Sequence, residues 1–271
     1  MKLSLKHTIT AEEDGQDAAT VLTQLSKLSK QRIKDAMNKG AVWLVQRQRK
    51  RLRRSTTVVR KGNTLELYHD AELLQRTPPE GVQCLFENKA CSVWYKPAGI
   101  VAQGNNFGDH LSLMRIAEKQ LNKPVFLVHR LDRETSGLML LAHNRQGAAS
   151  LSAQFRENRV KKCYRAIVIG ETAETGSIDL PLDGKTALTH FQRLQFDKDK
   201  GVSELSIRIE TGRTHQIRRH FEMIGHPLLG DPNYGKQNKN REGLQLEAYE
   251  LGFTCPVSNK PMLFSTNETA I

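Results

Sequence analysis

The chain has 271 residues, a length that fits one large domain or two smaller ones. Apolar residues make up 38% of it, enough to bury a core, while 41 Lys and Arg against 29 Asp and Glu leave a formal net charge of +12. These values exclude a disordered tail, a collagen-like chain and a bilayer span of ~18 consecutive apolar residues, and the charge points to a partner that carries negative charge. Residues 1–7 lack the apolar run of a secretory signal and soon give way to Glu12, Glu13 and Asp14, which predicts a cytoplasmic protein with no membrane partner. Cys84, Cys91, Cys163 and Cys255 show neither C-x-x-C spacing nor histidines at zinc-finger distance, so they are expected to be free and mostly buried thiols.

The charge is unevenly distributed. Residues 1–70 hold 15 Lys and Arg against 7 Asp and Glu, an excess of 8. Ser29 is placed to cap a helix over 30–39, with Ile33 and Met37 on one face and Gly40 as its stop. Residues 41–45 read as a strand. In 47–54 (RQRKRLRR) six of eight residues are basic, and this stretch reads as a loop. Residues 56–60 and 64–68 read as strands around the turn Lys61-Gly62-Asn63. Like charges this dense are either well solvated or face an anion, and the folded flanks favour a phosphate-contact surface. The order of helix, KGAVWL, basic loop and VVRKGNTLELY resembles the S4 RNA-binding module. Ser29-Lys30 stands where that module usually opens its recognition helix with Ser-Arg, and Val45-Gln46 where it has Asn-Gly. The resemblance implies an RNA-binding domain over 1–70, with Lys30, Arg32, Arg47, Arg49, Lys50, Arg51, Arg53 and Arg54 as contacts. Residues 71–82, polar and carrying Pro78-Pro79, are expected to be a linker to a second domain over 83–271.

In that second part short strands and turn signals dominate. Residues 91–95 read as a strand ending in the turn Lys96-Pro97-Ala98-Gly99. Two apolar runs, 124–128 and 138–142, enclose His129-Arg130-Leu131-Asp132-Arg133-Glu134-Thr135-Ser136-Gly137. A charged loop between buried strands is where function concentrates, although a lone loop aspartate more simply caps a turn. Residues 161–170 and 203–210 alternate as strands. Gly212 breaks the second, and a helix starts near His215 with Ile217, Phe221 and Ile224 toward the core. Arg218 lies about 100° around from Ile217, beside that stripe. Arg213 precedes the helix N-terminus, a natural place for a phosphate. His215, His220 and His226 are not spaced as metal ligands on one helix face, and Ser136 lacks the Gly-x-Ser-x-Gly elbow of a hydrolase.

HRLDRETSG after YKPAG, followed in order by KKCYRAIVIG (161–170), ETGRTHQIR (210–218) and GHPLLGD (225–231), resembles the signature set of the RluA-type pseudouridine synthases. Leu246-Glu247-Ala248 and Cys255-Pro256 depart from that family's Leu-His-Ala and His-Pro. The resemblance implies an α+β protein whose catalytic domain is a mixed, mainly antiparallel sheet with peripheral helices and a site in a cleft across it. It implies isomerisation of uridine in structured RNA: the C1′–N1 bond breaks, the base turns, and C1′ joins C5. No atoms are gained, so no cofactor, nucleotide or metal is expected. Asp132 is implied as the carboxylate at the ribose, acting as nucleophile or as base toward a glycal-like intermediate. A carboxylate in a closed site needs a cationic partner, and Arg218 is the candidate. Tyr164 is implied to stack on the target base and assist proton removal. Arg130 is implied to fill the gap left by a flipped-out uridine or to touch nearby phosphates, and Arg213, His215 and Gln216 to contact RNA. The added RNA-binding module favours ribosomal over transfer RNA, and a monomer is the expected state. The competing reading is a catalytically silent RNA-binding or ribosome-assembly factor.

Overall fold

In the computed structural model, which describes residues 2–236, 238 and 240–266, Asp17 and Ser29 each accept from the backbone N–H three residues on and so start the first two helices. After strand β1 (Lys2–Thr8) come α1 (Ala18–Ser26) and α2 (Lys30–Asn38), then β2 (Val42–Val45), β3 (Arg49–Arg51), β4 (Thr64–Asp70) and α3 (Ala71–Gln75). The strands form one antiparallel sheet in the order β1-β4-β2-β3. Val21 and Leu22 of α1, Ile33 and Met37 of α2, and Leu65 and Leu67 of β4 meet in a single core. Gly40 closes α2 at φ +78°, as its position after the helix foretold.

Several expectations change here. The basic stretch is not a loop, because residues 49–51 pair with β2 as an edge strand. Residues 56–60 form no strand. One edge of β4 is taken by β1 and the other by β2, so the alternating VVR segment cannot pair with β4 across the turn at 61–63, and Val58 makes one isolated bridge to Asp17. The expected linker contains α3, which buries Leu74. Residues 103–120, placed by sequence in the second domain, cluster with the first. The two compact units are Met1–Pro78 with Gln103–Gln120, and Pro79–Ala102 with Leu121–Ile271.

The second unit opens with β5 (Gln83–Glu87) and β6 (Cys91–Lys96). Helix α4 (Leu113–Leu121) follows, nearly all of it in the inserted 103–120 segment. Then come β7 (Phe126–Leu127), β8 (Ser136–Ala142), α5 (Arg145–Arg156), β9 (Lys161–Ile169), β10 (Thr175–Asp179), β11 (Leu188–Asp197), β12 (Val202–Ile209), α6 (Gln216–Met223), β13 (Leu246–Thr254) and β14 (Pro261–Ser265). Its described strands make one sheet in the order β10-β11-β12-β9-β13-β8-β6-β5, with β14 on β13 and β7 on β8. The β13–β8 pairing is parallel and the others are antiparallel. The α+β class and the mainly antiparallel sheet agree with expectation. One core cluster joins β9, β11 and β12 to α6, and another joins β6, β8 and β13 to α5. The β8–β13 seam is the parallel pairing near the centre of the sheet. Gly137 at the seam has φ +115°, and any Cβ there would collide with the main chain of Ala248, so only glycine permits the two strands to approach. The four cysteines are free, with Cys91, Cys163 and Cys255 buried and Cys84 half-buried. No described helix is long and apolar enough to cross a membrane.

Candidate active site

Asp132 lies in the segment joining β7 to β8, which is fastened on both sides of it. Upstream, the His129 ring stacks on Phe155 with centroids 4.4 Å apart, and its Nε2 accepts from the Leu140 N–H at 2.9 Å. Burial pushes this imidazole down to about 3, so it is neutral and free to accept. Downstream, the Arg133 carbonyl accepts from the Gly99 N–H at 2.7 Å, and the Lys96 ammonium lies 3.4 Å from it. Lys96 also donates to the carbonyls of Ile100 at 2.9 Å and Pro97 at 3.2 Å. It is completely buried, and that burial pushes it down to about 8 against the opposing pull of Asp132 and Glu134. The YKPAG turn is therefore a clamp on the aspartate loop. The sequence showed the turn and gave no sign of the clamp, because the contacts run to backbone carbonyls.

Arg218 enters from α6, beside the buried Ile217 and Phe221, and is 1% exposed. Its strongest bonds go to a residue that sequence reasoning did not single out. Nε and Nη2 donate to the two carboxylate oxygens of Asp231 at 2.7 and 2.8 Å, a buried bidentate pair. The expected pairing with Asp132 exists but is longer, Nη1 to Oδ2 at 3.4 Å, and Glu134 lies 3.8 Å from the same nitrogen. Burial works to lower the Arg218 pKa, yet the hydrogen bonds and charge of Asp231, helped by Asp132, leave it raised. Asp231 Oδ1 also accepts from the backbone of Asn233 at 2.9 Å and Tyr234 at 3.1 Å, so the turn itself fixes the carboxylate. Asp231 ends the GHPLLGD segment, and that was its only visible signal.

Asp132, 21% exposed, faces a cavity of about 130 Å³ bordered by Arg130, Leu131, Tyr164, His215, Arg218 and Leu246. Tyr164 projects from β9. Burial first, and then the charge of Asp132, raise its pKa, so the phenol stays protonated near neutral pH. His215 adopts a left-handed conformation (φ +53°), hydrogen-bonds the Tyr234 hydroxyl through Nδ1 at 3.1 Å, and places Nε2 3.7 Å from Asp132. Arg130 is exposed and has no ion pair among the described residues. Arg213 donates through Nε to the Thr186 carbonyl at 3.0 Å. Gln216 departs from its expected role. It is 3% exposed, its oxygen accepts from Thr211 and the Arg213 N–H, and its nitrogen donates to Leu188 and Thr189. With its amide satisfied inside the fold, it is an internal strut for the Arg213 segment. Ile224, expected in the core, lies just past α6 and is 37% exposed. His220 bonds Thr189 and the Leu180 carbonyl, an internal structural role.

In the first unit the basic residues divide by strand alternation. Arg49 and Arg51 leave β3 on one face and stack on Trp43, 3.8 and 4.2 Å from its ring centre. Arg49 also binds Glu66 through Nε at 2.8 Å and Nη2 at 2.7 Å. Arg51 reaches Asp109 at 3.1 Å, and Arg53 binds the same carboxylate oxygen. Lys50, on the opposite face, and Arg47 are exposed with no ion pair among the described residues, and exposed Arg54 donates to Thr56 at 3.1 Å. Lys30 donates to Thr20 at 3.0 Å beside Asp17, and Arg32 is exposed. Neither Glu66 nor Asp109 was anticipated, since Asp109 lies in the inserted segment, far along the chain.

A family model described as RNA pseudouridylate synthase matches residues 90–223. An uncharacterised RNA pseudouridine synthase of Aquifex aeolicus is 30% identical over 99% of this chain and 95% of its own. Ribosomal large subunit pseudouridine synthase D of Zymomonas mobilis is 34% identical over 68% of each chain. Among solved structures, human RNA pseudouridylate synthase domain containing 1 aligns with a TM-score of 0.60 at 24% identity, covering 70% of this chain and 86% of its own, which shows a shared fold. Fold and sequence together define the class as enzymes that rebuild uridine in RNA as pseudouridine. The chain belongs to the RNA pseudouridine synthase family.

Proposed function

We propose that this chain isomerises uridine within structured RNA, ribosomal RNA in preference to transfer RNA, with Asp132 acting at the ribose. One observation carries the reading. Asp132 borders a partly open cavity beside an arginine whose closer bonds go to Asp231, so its oxygens are oriented yet open to a substrate. Cleavage of the C1′–N1 bond leaves the ribose electron-poor. The carboxylate either adds to C1′, and that bond breaks again as C5 of the turned base attacks, or takes a proton from C2′ to leave a glycal-like species and returns it as C5 bonds to C1′. In both routes C5 releases its proton and N1 takes one up, so the product is an isomer. Arg218 and the clamp from Lys96 hold the carboxylate in place throughout. The buried face of Tyr164 offers a wall for the base. Burial and the charge of Asp132 raise the tyrosine's pKa and keep the phenol protonated, which supports stacking and hydrogen-bond donation over direct action as a base. Arg130 is free to enter the space a flipped uridine vacates. The first unit, similar to an S4 module, supplies RNA attraction, and the preference for ribosomal RNA rests on that module and on the relative of that name.

The test uses full-length protein and transcripts of ribosomal and transfer RNA made in vitro. Wild type is expected to form pseudouridine. Asp132→Asn should still bind RNA while its single-turnover rate falls by about 10⁴ or more, as when a nucleophile is removed. Undiminished product from Asp132→Asn overturns the role of Asp132. Product on transfer RNA alone reverses the RNA preference. No product from wild type on any transcript makes the silent RNA-binding factor the better reading.

A further inference from the structure

Beside the cavity that Asp132 borders lies a wider cleft of about 470 Å³. Arg130, Tyr164 and Arg213 border both, so the tyrosine ring is part of a shared wall. The two linings differ in charge. The wider cleft is bordered by the cations Arg130, Arg156, Lys162 and Arg213 and by no aspartate or glutamate. Arg156 has Glu157 at 3.6 Å, while Arg130, Lys162 and Arg213 have no carboxylate partner among the described residues, and like charges around one concavity repel each other until an anion enters.

Lys162 decides what that anion is attached to. It precedes Tyr164 by two residues on β9, so both side chains leave the same face of the strand. It is half-buried, and its ammonium has one long contact, 3.5 Å to the Glu210 carbonyl, with no carboxylate partner among the described residues. Burial lowers its pKa with nothing charged to offset it. Lys161, on the other face of the strand, has Glu250 at 2.7 Å. The fold thus pairs the lysine that points away from the site and leaves unpaired the one that points into it. A partly desolvated ammonium without a partner is unfavourable until a ligand supplies one. The cleft is nucleotide-sized, and Phe155, backed by the His129 ring, gives it an apolar surface against which a sugar or base can lie.

We infer that this cleft seats the nucleotide adjacent to the target uridine, and that Lys162 holds its backbone phosphate, with Arg130 and Arg213 at the shared wall. The inference rests on the reading of the Asp132 cavity as the uridine site.

The probe is pentauridylate, titrated onto the full-length protein across a salt series. Lys162→Gln is expected to weaken binding by about tenfold, the loss of one charge-assisted hydrogen bond, and to flatten the salt slope by about 0.7, the value for one phosphate of a single strand. Lys162→Arg should restore most of both. Pentauridylates with one phosphate at a time replaced by a neutral methylphosphonate give the decisive comparison. At one position the replacement should weaken binding to wild type and leave Lys162→Gln indifferent. Equal affinity and slope for wild type and Lys162→Gln overturn the inference, as does a wild type that binds no pentauridylate. If Lys162→Gln melts early, Lys162→Arg and the methylphosphonate series on wild type decide the matter. Pseudouridine formation is read separately on transcripts, so a failure there and a failure here are distinguishable.

Discussion

The two arginine clusters of this protein are built on inverse plans. In the second unit one guanidinium, Arg218, faces three carboxylates, with Asp231 close and Asp132 and Glu134 more distant. In the first unit one carboxylate, Asp109, is shared by two guanidiniums, Arg51 and Arg53. The surplus differs in sign. The first arrangement leaves a carboxylate short of cations at the edge of a cavity, where the proposed function has it meet an electron-poor ribose carbon. The second leaves cations in excess on a surface, the side that the proposal assigns to RNA attraction. Arginine count alone therefore says little about function; what matters is which sign of charge the local pairing leaves over.

The largest expected effect breaks the acidic plan. Asp231→Asn removes the buried partner of a guanidinium that is 1% exposed, and breaking one side of such a pair costs about 3–5 kcal/mol. Chemical denaturation should show that loss, and single-turnover rate should fall by tenfold or more even at temperatures where the variant stays folded, because Arg218 is then drawn onto Asp132 and covers its oxygens. A stability loss below about 1 kcal/mol would mean that Arg218 is not held by Asp231, and the contrast between the clusters would lose its basis.

The sequence made the acidic plan legible in part. Asp132 and Arg218 sit in contiguous motifs whose neighbours give them away, and the strands flanking the aspartate loop follow from simple apolar runs. Asp231 and Lys96 lie within those same motifs, yet their roles depend on turns that bring a carboxylate or an ammonium against groups elsewhere in the chain. The basic plan was harder to see. Arg47 to Arg54 look uniform in a string of letters. They become two sets only once residues 49–51 join β2 as a strand and Trp43, Glu66 and Asp109 gather on one of its faces. The failed strand at 56–60 teaches the same lesson: alternation shows what a segment could do, and whether its neighbour in sequence still has an open side decides whether the two pair.

A smaller effect is expected from Asp109→Asn. The carboxylate is 13% exposed and shared between two arginines, so the variant should lose about 1–2 kcal/mol of stability, from weakened charged hydrogen bonds and repulsion between Arg51 and Arg53. RNA binding at low salt should hold or tighten, since one negative charge has been removed from a basic surface. A loss as large as that of Asp231→Asn would show that Asp109 anchors the fold as firmly as the buried pair does, and that the two clusters differ only in sign.

The smallest structural effect, and the sharpest reading of the basic surface, comes from the cations that pairing leaves over. Replacing Arg47, Lys50 and Arg54 with glutamine touches exposed side chains that form no ion pair among the described residues. Stability should change by no more than about 0.5 kcal/mol, while the salt slope of RNA binding should fall by about 0.7 to 0.9 for each of the three that meets a phosphate. Replacing Arg49, Arg51 and Arg53 should do the reverse. Those side chains are held by Trp43, Glu66 and Asp109, so their loss should lower the melting temperature more than it alters the slope. If the paired set dominates the salt slope and the exposed set does not, RNA must displace Glu66 and Asp109 on binding. The carboxylates of the first unit would then be competitors of the nucleic acid rather than struts for the strand that receives it.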